Sequence, residues 1–376
     1  MKFLDLFAGI GGFRLGMESA GHECIGFCEI DKFARASYKA IHDTEGEIEL
    51  HDITEVSDDT IRGIGQVDVI CGGFPCQAFS IAGARRGFED TRGTLFFEIA
   101  RFASILRPRL LFLENVKGLL NHDRGNTFEV ILSALDELGY DVEWQVLNSK
   151  NFGVPQNRER VFIIGHLREG RPRNVFPLGG NDTEIDCEQS KIIKVGNIRK
   201  NGKSQSGDVV SINSLAPTLC STTTQKDPLK IAIPVLTPGR LEKRQNGRRF
   251  KTNGEPMFTL TAQDRHGILV KEATSQGYAK AEIGDSVNLS HPNSKTRRGR
   301  VGKQIANTLL TGESQGVVEP DFRIRKLTPR ECWRLQGFPD WAFDKAQEVN
   351  SNSQLYKQAG NSVTVNVIEA IAKELG

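Results

Sequence analysis

The sequence predicts an α/β fold, with a doubly wound, mainly parallel sheet followed by a second, smaller, irregular and mostly β domain. Residues 1–165 alternate short apolar runs with amphipathic stretches of helix length, which is typical of a parallel sheet with helices on both faces. From about residue 180 this alternation ends, and Gly, Asn, Ser, Thr and Lys dominate. No run of 18 apolar residues occurs, so we expect no membrane span.

Six apolar runs of the first part predict strands, and helical patterns lie between them. The candidate strands are Phe3–Phe7, Cys24–Cys28, Val67–Cys71, Leu110–Leu113, Asp141–Leu147 and Val161–Ile164, and the candidate helices include Phe13–Ala20, Thr94–Leu106 and Thr127–Leu138. Thr127 is the expected N-cap of the last helix. A closing amphipathic helix, Val363–Leu375, predicts that the chain returns to the first domain. We therefore expect one domain of residues 1–180 and 350–376, and a second of 181–349.

A glycine-rich turn after the first strand predicts a ligand site. Gly9, Gly11 and Gly12 allow a ligand to approach the backbone closely, but Arg14 stands where a dinucleotide fingerprint has its third glycine. A nucleotide-dependent dehydrogenase is therefore a weak alternative. Glu29 could hold ribose hydroxyls, and Asp52 could accept a hydrogen bond from an exocyclic amine while its neighbour Ile53 packs on the ring.

A thiol and a carboxyl group follow two further strands. Pro75 and Cys76 lie in a glycine-flanked turn after the apolar run 67–71, and Glu114 follows Leu110–Leu113 directly. This pair indicates covalent catalysis on a ring that is protonated as it is attacked. A buried structural cysteine is the alternative, but the turn residues around Cys76 favour an exposed thiol. Burial of Glu114 would favour its protonated form.

Arginines suited to anions follow in two segments. Gln156, Arg158 and Arg160 alternate, so an extended backbone would direct all three side chains to one side. The loop 77–94 combines glycines, which permit motion, with side chains suited to phosphate contacts. Those side chains are Ser80, Arg85, Arg86 and Arg92.

Taken in order, these motifs resemble the C5-cytosine DNA methyltransferases of bacteria and phages. The matching blocks are 5–13, Pro75-Cys76, Glu114-Asn115-Val116, 156–160, 325–332, 336–339 and 360–363. They lie within residues 1–165 and 325–376, whereas the middle of the chain matches no block of the family.

The resemblance implies an S-adenosyl-L-methionine cofactor. The implied contact residues are Phe7, Ala8, Gly9, Gly11, Gly12, Glu29, Ile30, Asp52, Ile53, Pro75, Leu95, Asn361 and Val363. At position 30 the family has an aromatic or other large residue, so Ile30 is expected to offer less stacking area.

The resemblance also implies a DNA (cytosine-5-)-methyltransferase and the roles of four catalytic residues. Cys76 would attack C6 of the cytosine, and Glu114 would hold N3 and the exocyclic amine. Arg160 would contact the carbonyl oxygen of the base, and Arg158 would lie close to the catalytic loop. Because none of these groups can touch a base inside a duplex, the target cytosine is expected to be flipped out.

The charge distribution predicts a polyanionic partner for the second domain. Residues 166–324 contain 25 Lys and Arg against 16 Asp and Glu, whereas the rest of the chain contains 24 against 31. We therefore expect residues 181–349 to be a target-recognition domain that binds double-stranded DNA. Arg297, Arg298 and Arg300 are the expected phosphate contacts, and Arg265 is a candidate for reading guanine.

Several further expectations concern partners and location. The chain has seven cysteines without framework spacing, and no second pair with zinc-like spacing follows Cys24 and Cys28, so we expect reduced thiols and no metal. We expect a cytoplasmic monomer that is associated with the nucleoid through DNA. It would belong to a restriction–modification system or a phage, with a restriction endonuclease of the same site as a candidate partner.

Two alternatives remain open at the level of sequence. A transfer-RNA cytosine-5 methyltransferase would use the same chemistry, although the long basic segment favours duplex DNA. A non-catalytic DNA-binding relative would be expected to lack Cys76, Glu114 or Arg160, and all three are present.

Overall fold

The computed structural model divides the chain into two compact units. It describes residues 1–75, 95–168, 174–178, 268–291, 294–312, 314–319 and 324–376, and only the backbone of 194–197, 208–210, 232–236 and 266–267. The first unit comprises Met1–Gly179, Ala306–Gln315 and Lys326–Gly376, and the second comprises Gly180–Ile305 and Gly316–Arg325.

The first unit is built on a seven-stranded sheet. Its strands are β1 (Lys2–Leu6), β2 (Glu23–Cys28), β3 (Ile48–Leu50), β4 (Val69–Gly73), β5 (Leu110–Val116), β6 (Tyr140–Asn148) and β7 (Glu159–Leu167). Their order in the sheet is β3-β2-β1-β4-β5-β7-β6. The pairs from β3 to β5 are parallel, whereas β7 runs antiparallel to both β5 and β6. The prediction of a mainly parallel sheet is confirmed.

Helices cover both faces of this sheet, and further helices of the same unit pack in a separate cluster. The helices of the unit are α1 (Gly12–Ser19), α2 (Lys32–Ile41), α3 (Asp58–Gly63), α4 (Leu95–Leu106), α5 (Asn126–Glu137), α6 (Pro329–Leu335), α7 (Asp340–Val349), α8 (Asn352–Asn361) and α9 (Val365–Ala372). Successive residues of β5 belong to different cores: Leu111 packs with residues of α4 and α5, and Phe112 packs with residues of α1 and α9. This alternation gives the sheet an apolar layer on each face.

The N-terminal caps of α6 and α5 show how the local sequence sets the residue at which a helix begins. Thr328 caps α6 through a capping box with Glu331, and Pro329 occupies the first turn. The expected N-cap role of Thr127 is wrong, because α5 begins after Gly125, which lies in the left-handed region at φ 93°. Thr127 instead forms a 2.6 Å hydrogen bond with Nδ1 of His122.

The expected end of the second domain at residue 349 differs from the observed one, because the chain returns to the first unit at Lys326. Helices α6 and α7 belong to the first unit, where Trp333, Phe338 and Phe343 form a buried cluster with Ile10 and Leu355. Burial of these large side chains outweighs their position in the chain, because apolar area removed from water stabilises the unit that covers it.

The second unit is mostly β among the residues that are described. Its strands are β8 (Lys194–Asn197), β9 (Asp208–Val210), β10 (Ala232–Leu236), β11 (His266–Lys271), β12 (Tyr278–Ala281), β13 (Ser286–Asn288) and β14 (Val301–Gly302), with β15 (Gln315–Val318) and β16 (Ile324–Lys326) at its border with the first unit. They form sheets of two, three and four strands. Ile268, Val270, Val287 and Val318, from the three- and four-stranded sheets, form a small buried cluster. The expected smaller β region is confirmed.

No helix in the described part of the chain is both long and apolar enough to cross a membrane.

A completely buried carboxyl group lies on β1. Asp5 has no exposed surface, and burial raises its pKa to about 8, although the positive charge of Arg14 opposes the rise. The native protein therefore keeps a proton on Asp5 over a pH range in which the unfolded chain has lost it.

We expect Asp5→Asn to remove a pH-dependent part of the stability. In the native protein the Asp5 contribution is fully present below about pH 4 and is lost as the pH rises through about 8. Relative to the variant, the wild-type free energy of unfolding should fall by up to about 1.4 kcal/mol per pH unit in that window. Denaturation in urea at several pH values measures this difference, and a difference independent of pH would contradict the assignment.

Candidate active site

A cavity of about 450 Å³ opens at the edge where β1, β2, β3, β4 and β5 end. Parallel sheets bind ligands at this edge, at the point where the strand order reverses, which here lies between β1 and β4. The cavity volume falls within the range of small-molecule sites, about 300–1,000 Å³. Its lining comes from the first unit alone.

The glycine-rich turn forms the cavity wall after β1. Phe7 and Gly9 adopt positive φ angles of 57° and 58°, and both line the cavity. Gly11 also has a positive φ, and a Cβ atom there would lie 2.0 Å from Nε2 of His42. The turn therefore needs glycine at position 11 both for its backbone conformation and for the lack of space.

Glu29 is fixed by the turn that it faces. Its Oε2 accepts a hydrogen bond of 2.8 Å from the backbone N–H of Gly9, and its Oε1 accepts one of 2.7 Å from Asp31. Burial raises the pKa of Glu29, and these two backbone N–H groups oppose the rise. Each oxygen retains a lone pair for a hydroxyl group of a ligand.

Asp52 and Ile53 line the cavity after β3. Oδ1 of Asp52 accepts hydrogen bonds from the backbone N–H and the hydroxyl of Thr54, at 2.9 and 2.7 Å, which lower the pKa of the carboxyl. Ile53 is buried, whereas Ile30 also lines the cavity and is 66% exposed. Ile30 therefore presents an apolar surface at the opening that a ligand ring could cover.

A buried ion pair occupies the other side of β1. Nε of Arg160 lies 3.0 Å from Oε1 of Glu114, and both side chains are largely buried. Burial raises the pKa of Glu114, whereas the charges of Arg160 and Arg158 oppose the rise. Glu114 lies within β5, which continues three residues beyond the expected strand Leu110–Leu113, and it pairs with Gly73 of β4.

Arg158 connects this pair with the loop after α8. Its Nη2 donates to the carbonyl oxygens of Ser362 at 2.7 Å and Gly360 at 3.3 Å, and burial lowers its pKa to about 9. Gln156 does not line the cavity: its amide donates to Leu335 O and accepts from the backbone N–H of Leu309. Of the three alternating side chains, Gln156 therefore connects the segments around residues 309 and 335, while the two arginines face the cavity.

The structure brings most of the predicted cofactor residues together. Those that line the cavity are Phe7, Gly9, Glu29, Ile30, Asp52, Ile53, Pro75, Leu95 and Asn361. Ala8, Gly11, Gly12 and Val363 are buried behind it, where Gly12 allows Val363 to pack closely against the turn. Glu114, Arg158 and Arg160 line the same cavity.

Some predicted residues lie outside the described part of the chain. They are Cys76, Ser80, Arg85, Arg86, Arg92 and Arg265. Pro75, the residue immediately before Cys76, is described and lines the cavity. The carbonyl oxygen of its neighbour Phe74 accepts a hydrogen bond of 2.8 Å from the side chain of Asn115. The segment 74–75 is thereby tied to the end of β5.

Several residues of the cavity were not predicted from the sequence. Asp31 caps α2 and forms a 2.6 Å ion pair with Lys357 of α8, and both line the cavity together with His51. The position of Asp31 two residues after Glu29 was a usable signal. Nothing in the sequence placed Lys357 beside it, because the two residues are 326 positions apart.

The expected phosphate contacts of the second unit are of two kinds. Arg298 is exposed and Arg297 is partly buried. Arg300 is 1% exposed, and its guanidinium donates to backbone carbonyls of the same unit. This burial conflicts with the expectation that Arg300 is a surface contact.

The family model and the relatives that match this chain agree on one protein family. A family model described as C-5 cytosine-specific DNA methylase matches residues 1–376. The orphan methyltransferase M.SPRI of Bacillus phage SPR is 34% identical over 477 aligned residues, covering 100% of this chain and 97% of the relative. The type II methyltransferase M.HhaI of Haemophilus parahaemolyticus is 35% identical over 382 residues, covering 100% and 94%.

Solved structures share the fold at lower identity. The Dnmt2 methyltransferase of S. pombe superposes with a TM-score of 0.58 at 16% identity, covering 100% of this chain and 98% of the other. EhMeth, a methyltransferase of Entamoeba histolytica, gives a TM-score of 0.51 at 14% identity, covering 100% and 97%.

Proposed function

Because this chain belongs to the C-5 cytosine-specific DNA methylase family, we propose that it transfers a methyl group from S-adenosyl-L-methionine to C5 of a flipped-out cytosine in a specific duplex DNA site. One observation carries the proposal. The Glu114–Arg160 pair faces the same cavity as Glu29 and Pro75, the residue before Cys76. A nucleoside-binding carboxylate, a base-binding pair and the segment that precedes the thiol thus converge on one site.

The residues of the cavity fit the cofactor. Glu29 offers fixed carboxylate oxygens to ribose hydroxyls, and Asp52 offers the oxygen not used by Thr54 to an exocyclic amine. Ile30 and Ile53 supply apolar surface to a ring, and the positive φ of Gly9 keeps the backbone at the cavity wall. When bound, S-adenosylmethionine would supply an electrophilic methyl group from its sulfonium, with S-adenosylhomocysteine as the leaving group.

The chemical step assigns one role to each catalytic side chain. The Cys76 thiolate forms a bond to C6, which moves electron density to C5 and lets C5 take the methyl group. The C5 proton then passes to solvent water, the N3 proton returns to Glu114 and the C6–sulfur bond breaks, which restores the aromatic ring and the thiolate. Glu114, whose pKa is raised by burial, holds N3 and the exocyclic amine and shares its proton with N3. Arg160 orients Glu114 and donates to the carbonyl oxygen of the base.

Substrate choice is assigned to the second unit. Its basic segment supports binding of double-stranded DNA, and extrusion of the target base accounts for a reactive cavity that no paired base could enter. We assign the protein to a restriction–modification system or to phage DNA protection, as a monomer associated with the nucleoid. A restriction endonuclease specific for the same site is the expected functional partner.

Replacement of the two carboxylates should weaken cofactor binding. Glu29→Gln and Asp52→Asn should each raise the S-adenosylmethionine Kd. The binding free energy should weaken by about 1–3 kcal/mol per variant, because a hydrogen-bonding partner of the ligand is lost. Glu369→Gln and Asp59→Asn are the matched controls, because these carboxylates are paired with Lys373 and Arg62 and do not line the cavity. Calorimetry provides the affinities, and unchanged binding in both cavity variants would exclude this pocket.

Removal of the thiol should abolish methyl transfer. Cys76→Ala should lose several orders of magnitude in rate while still binding DNA and cofactor, because the covalent route is gone. Wild type should form an adduct with 5-fluorocytosine DNA that survives denaturation, and the variant should not. Cys332→Ala, which removes a buried thiol from α6, is the control. Residual turnover of Cys76→Ala above about one per cent would exclude a nucleophilic role.

The same assay separates DNA from RNA as substrate. Purified wild type should methylate unmodified duplex DNA and not transfer RNA, and bisulfite sequencing of the product should reveal one recurring site. Methylation of transfer RNA alone would replace the proposed substrate while leaving the chemistry in place.

A further inference from the structure

An exposed segment of the second unit has four basic side chains and no acidic one. Residues 294–300, called the basic turn below, have the sequence Ser-Lys-Thr-Arg-Arg-Gly-Arg. Lys295 and Arg298 are exposed, Arg297 is partly buried and Arg300 is buried. The four cations therefore do not form a uniform charged face.

Arg300 holds the backbone that precedes the basic turn. Its guanidinium donates to the carbonyl oxygens of Asn288 at 3.1 Å, Ser290 at 2.7 Å and His291 at 2.7 Å. Its backbone N–H donates to Oε1 of Glu272 at 2.6 Å. A planar guanidinium can donate to several carbonyl oxygens at once in a way that an ammonium group cannot. Arg300 thus fixes the conformation of the loop from inside.

A second loop lies against the basic turn. The backbone N–H of Ala273 donates to Arg297 O at 2.8 Å, and Nε of Arg298 donates to Ala273 O at 2.8 Å. The residues that follow, Thr274, Ser275 and Gln276, are exposed and polar. Two neighbouring loops therefore present hydroxyl and amide groups beside the cations.

Acidic side chains elsewhere in the described part of this unit are already engaged. Glu282 pairs with Lys280 at 2.9 Å, Asp285 with Lys303 at 2.7 Å and Glu319 with Arg325 at 3.0 Å. Glu272 accepts the hydrogen bond from Arg300.

Three cations of the basic turn differ from these groups and from Arg300. Among the described residues, no acidic group lies within ion-pair distance of Lys295, Arg297 or Arg298. These three positive charges are therefore available to an external anion.

We infer that the basic turn and the adjoining loop 272–277 bind the phosphate backbone of duplex DNA through Lys295, Arg297 and Arg298, and that Arg300 is a positioning residue. The inference rests on the proposed function and adds to it the surface and the kind of contact. Closely spaced cations flanked by hydroxyl and amide donors, without an exposed large apolar side chain, suit phosphates. Such contacts contribute affinity without reading the base sequence.

Neutralising the three cations should flatten the salt dependence of DNA binding. The slope of log K against log salt is negative. For K295Q/R297Q/R298Q its magnitude should decrease by about 2.7, since each phosphate contact contributes about 0.9. Between ~0.05 and ~0.2 M salt, the variant should lose about 40-fold less affinity than wild type does. At a given salt concentration, the variant should lose the same fraction of wild-type affinity for two duplexes, one with the recognition site identified by bisulfite sequencing and one with a scrambled sequence.

A control variant separates this effect from net charge. K39Q/R62Q/K373Q also removes three positive charges, from exposed ion pairs of the first unit. It should keep the wild-type slope. An unchanged slope in the basic-turn variant, or a loss confined to the cognate site, would overturn the phosphate assignment.

Arg300 needs a test that separates positioning from direct contact. Arg300→Lys keeps the charge but cannot replace the three hydrogen bonds to backbone carbonyls, so it should weaken DNA binding and flatten the slope. Cofactor affinity should stay unchanged, which reports the fold of the first unit, and an unchanged circular dichroism spectrum should show that the β structure of the second unit is retained. A wild-type slope in Arg300→Lys would make Arg300 a charge contact and overturn its positioning role.

Failure of this inference is distinguishable from failure of the proposed function. If wild type methylates DNA but the basic-turn variant keeps its salt slope, only the surface assignment is lost. If wild type neither binds nor methylates any duplex, the proposed function is lost, and this inference is lost with it.

Discussion

β7 enters the sheet from the edge at which β5 ends, because it runs antiparallel to its neighbours. Its first residues therefore lie beside the last residues of β5, so Arg160 pairs with Val116 in the ladder and its side chain contacts Glu114. A parallel strand would have put the arginine at the opposite edge of the sheet. The buried Glu114–Arg160 pair, and with it the proposed base-binding end of the cavity, depends on this reversal.

Burial gives that pair its chemical character. A carboxyl group removed from water favours its protonated form, whereas the two neighbouring arginines favour the charged form. Arg158 is held in turn by the carbonyl oxygens of Gly360 and Ser362, on either side of Asn361, which lines the cavity. Arg158 therefore links the two ends of the proposed site, because its charge acts on Glu114 while its hydrogen bonds hold the backbone on either side of Asn361.

Burial also explains two arginines whose positions in the sequence suggest contact with a ligand but whose side chains are structural. Arg14 replaces the third glycine of a dinucleotide turn, and its guanidinium is buried against Glu47 and Glu18 instead of facing a ligand. Arg300 stands in a run of surface cations, yet it donates to three backbone carbonyls inside its own unit. In both cases a guanidinium is buried because it satisfies several acceptors at once.

The sequence by itself determined the fold class, the family and the positions of six of the seven strands of the first sheet, because apolar alternation and glycine placement are local signals. It also placed Glu29 and Glu114 at strand ends, since each directly follows an apolar run, whereas the short strand β3 before Asp52 was not predicted. Only the tertiary structure decided the ion pair of Asp31 with Lys357, the internal role of Arg300 and the membership of α6 and α7 in the first unit. These depend on which surfaces become buried together, and burial between segments far apart in the chain leaves no local pattern in the sequence.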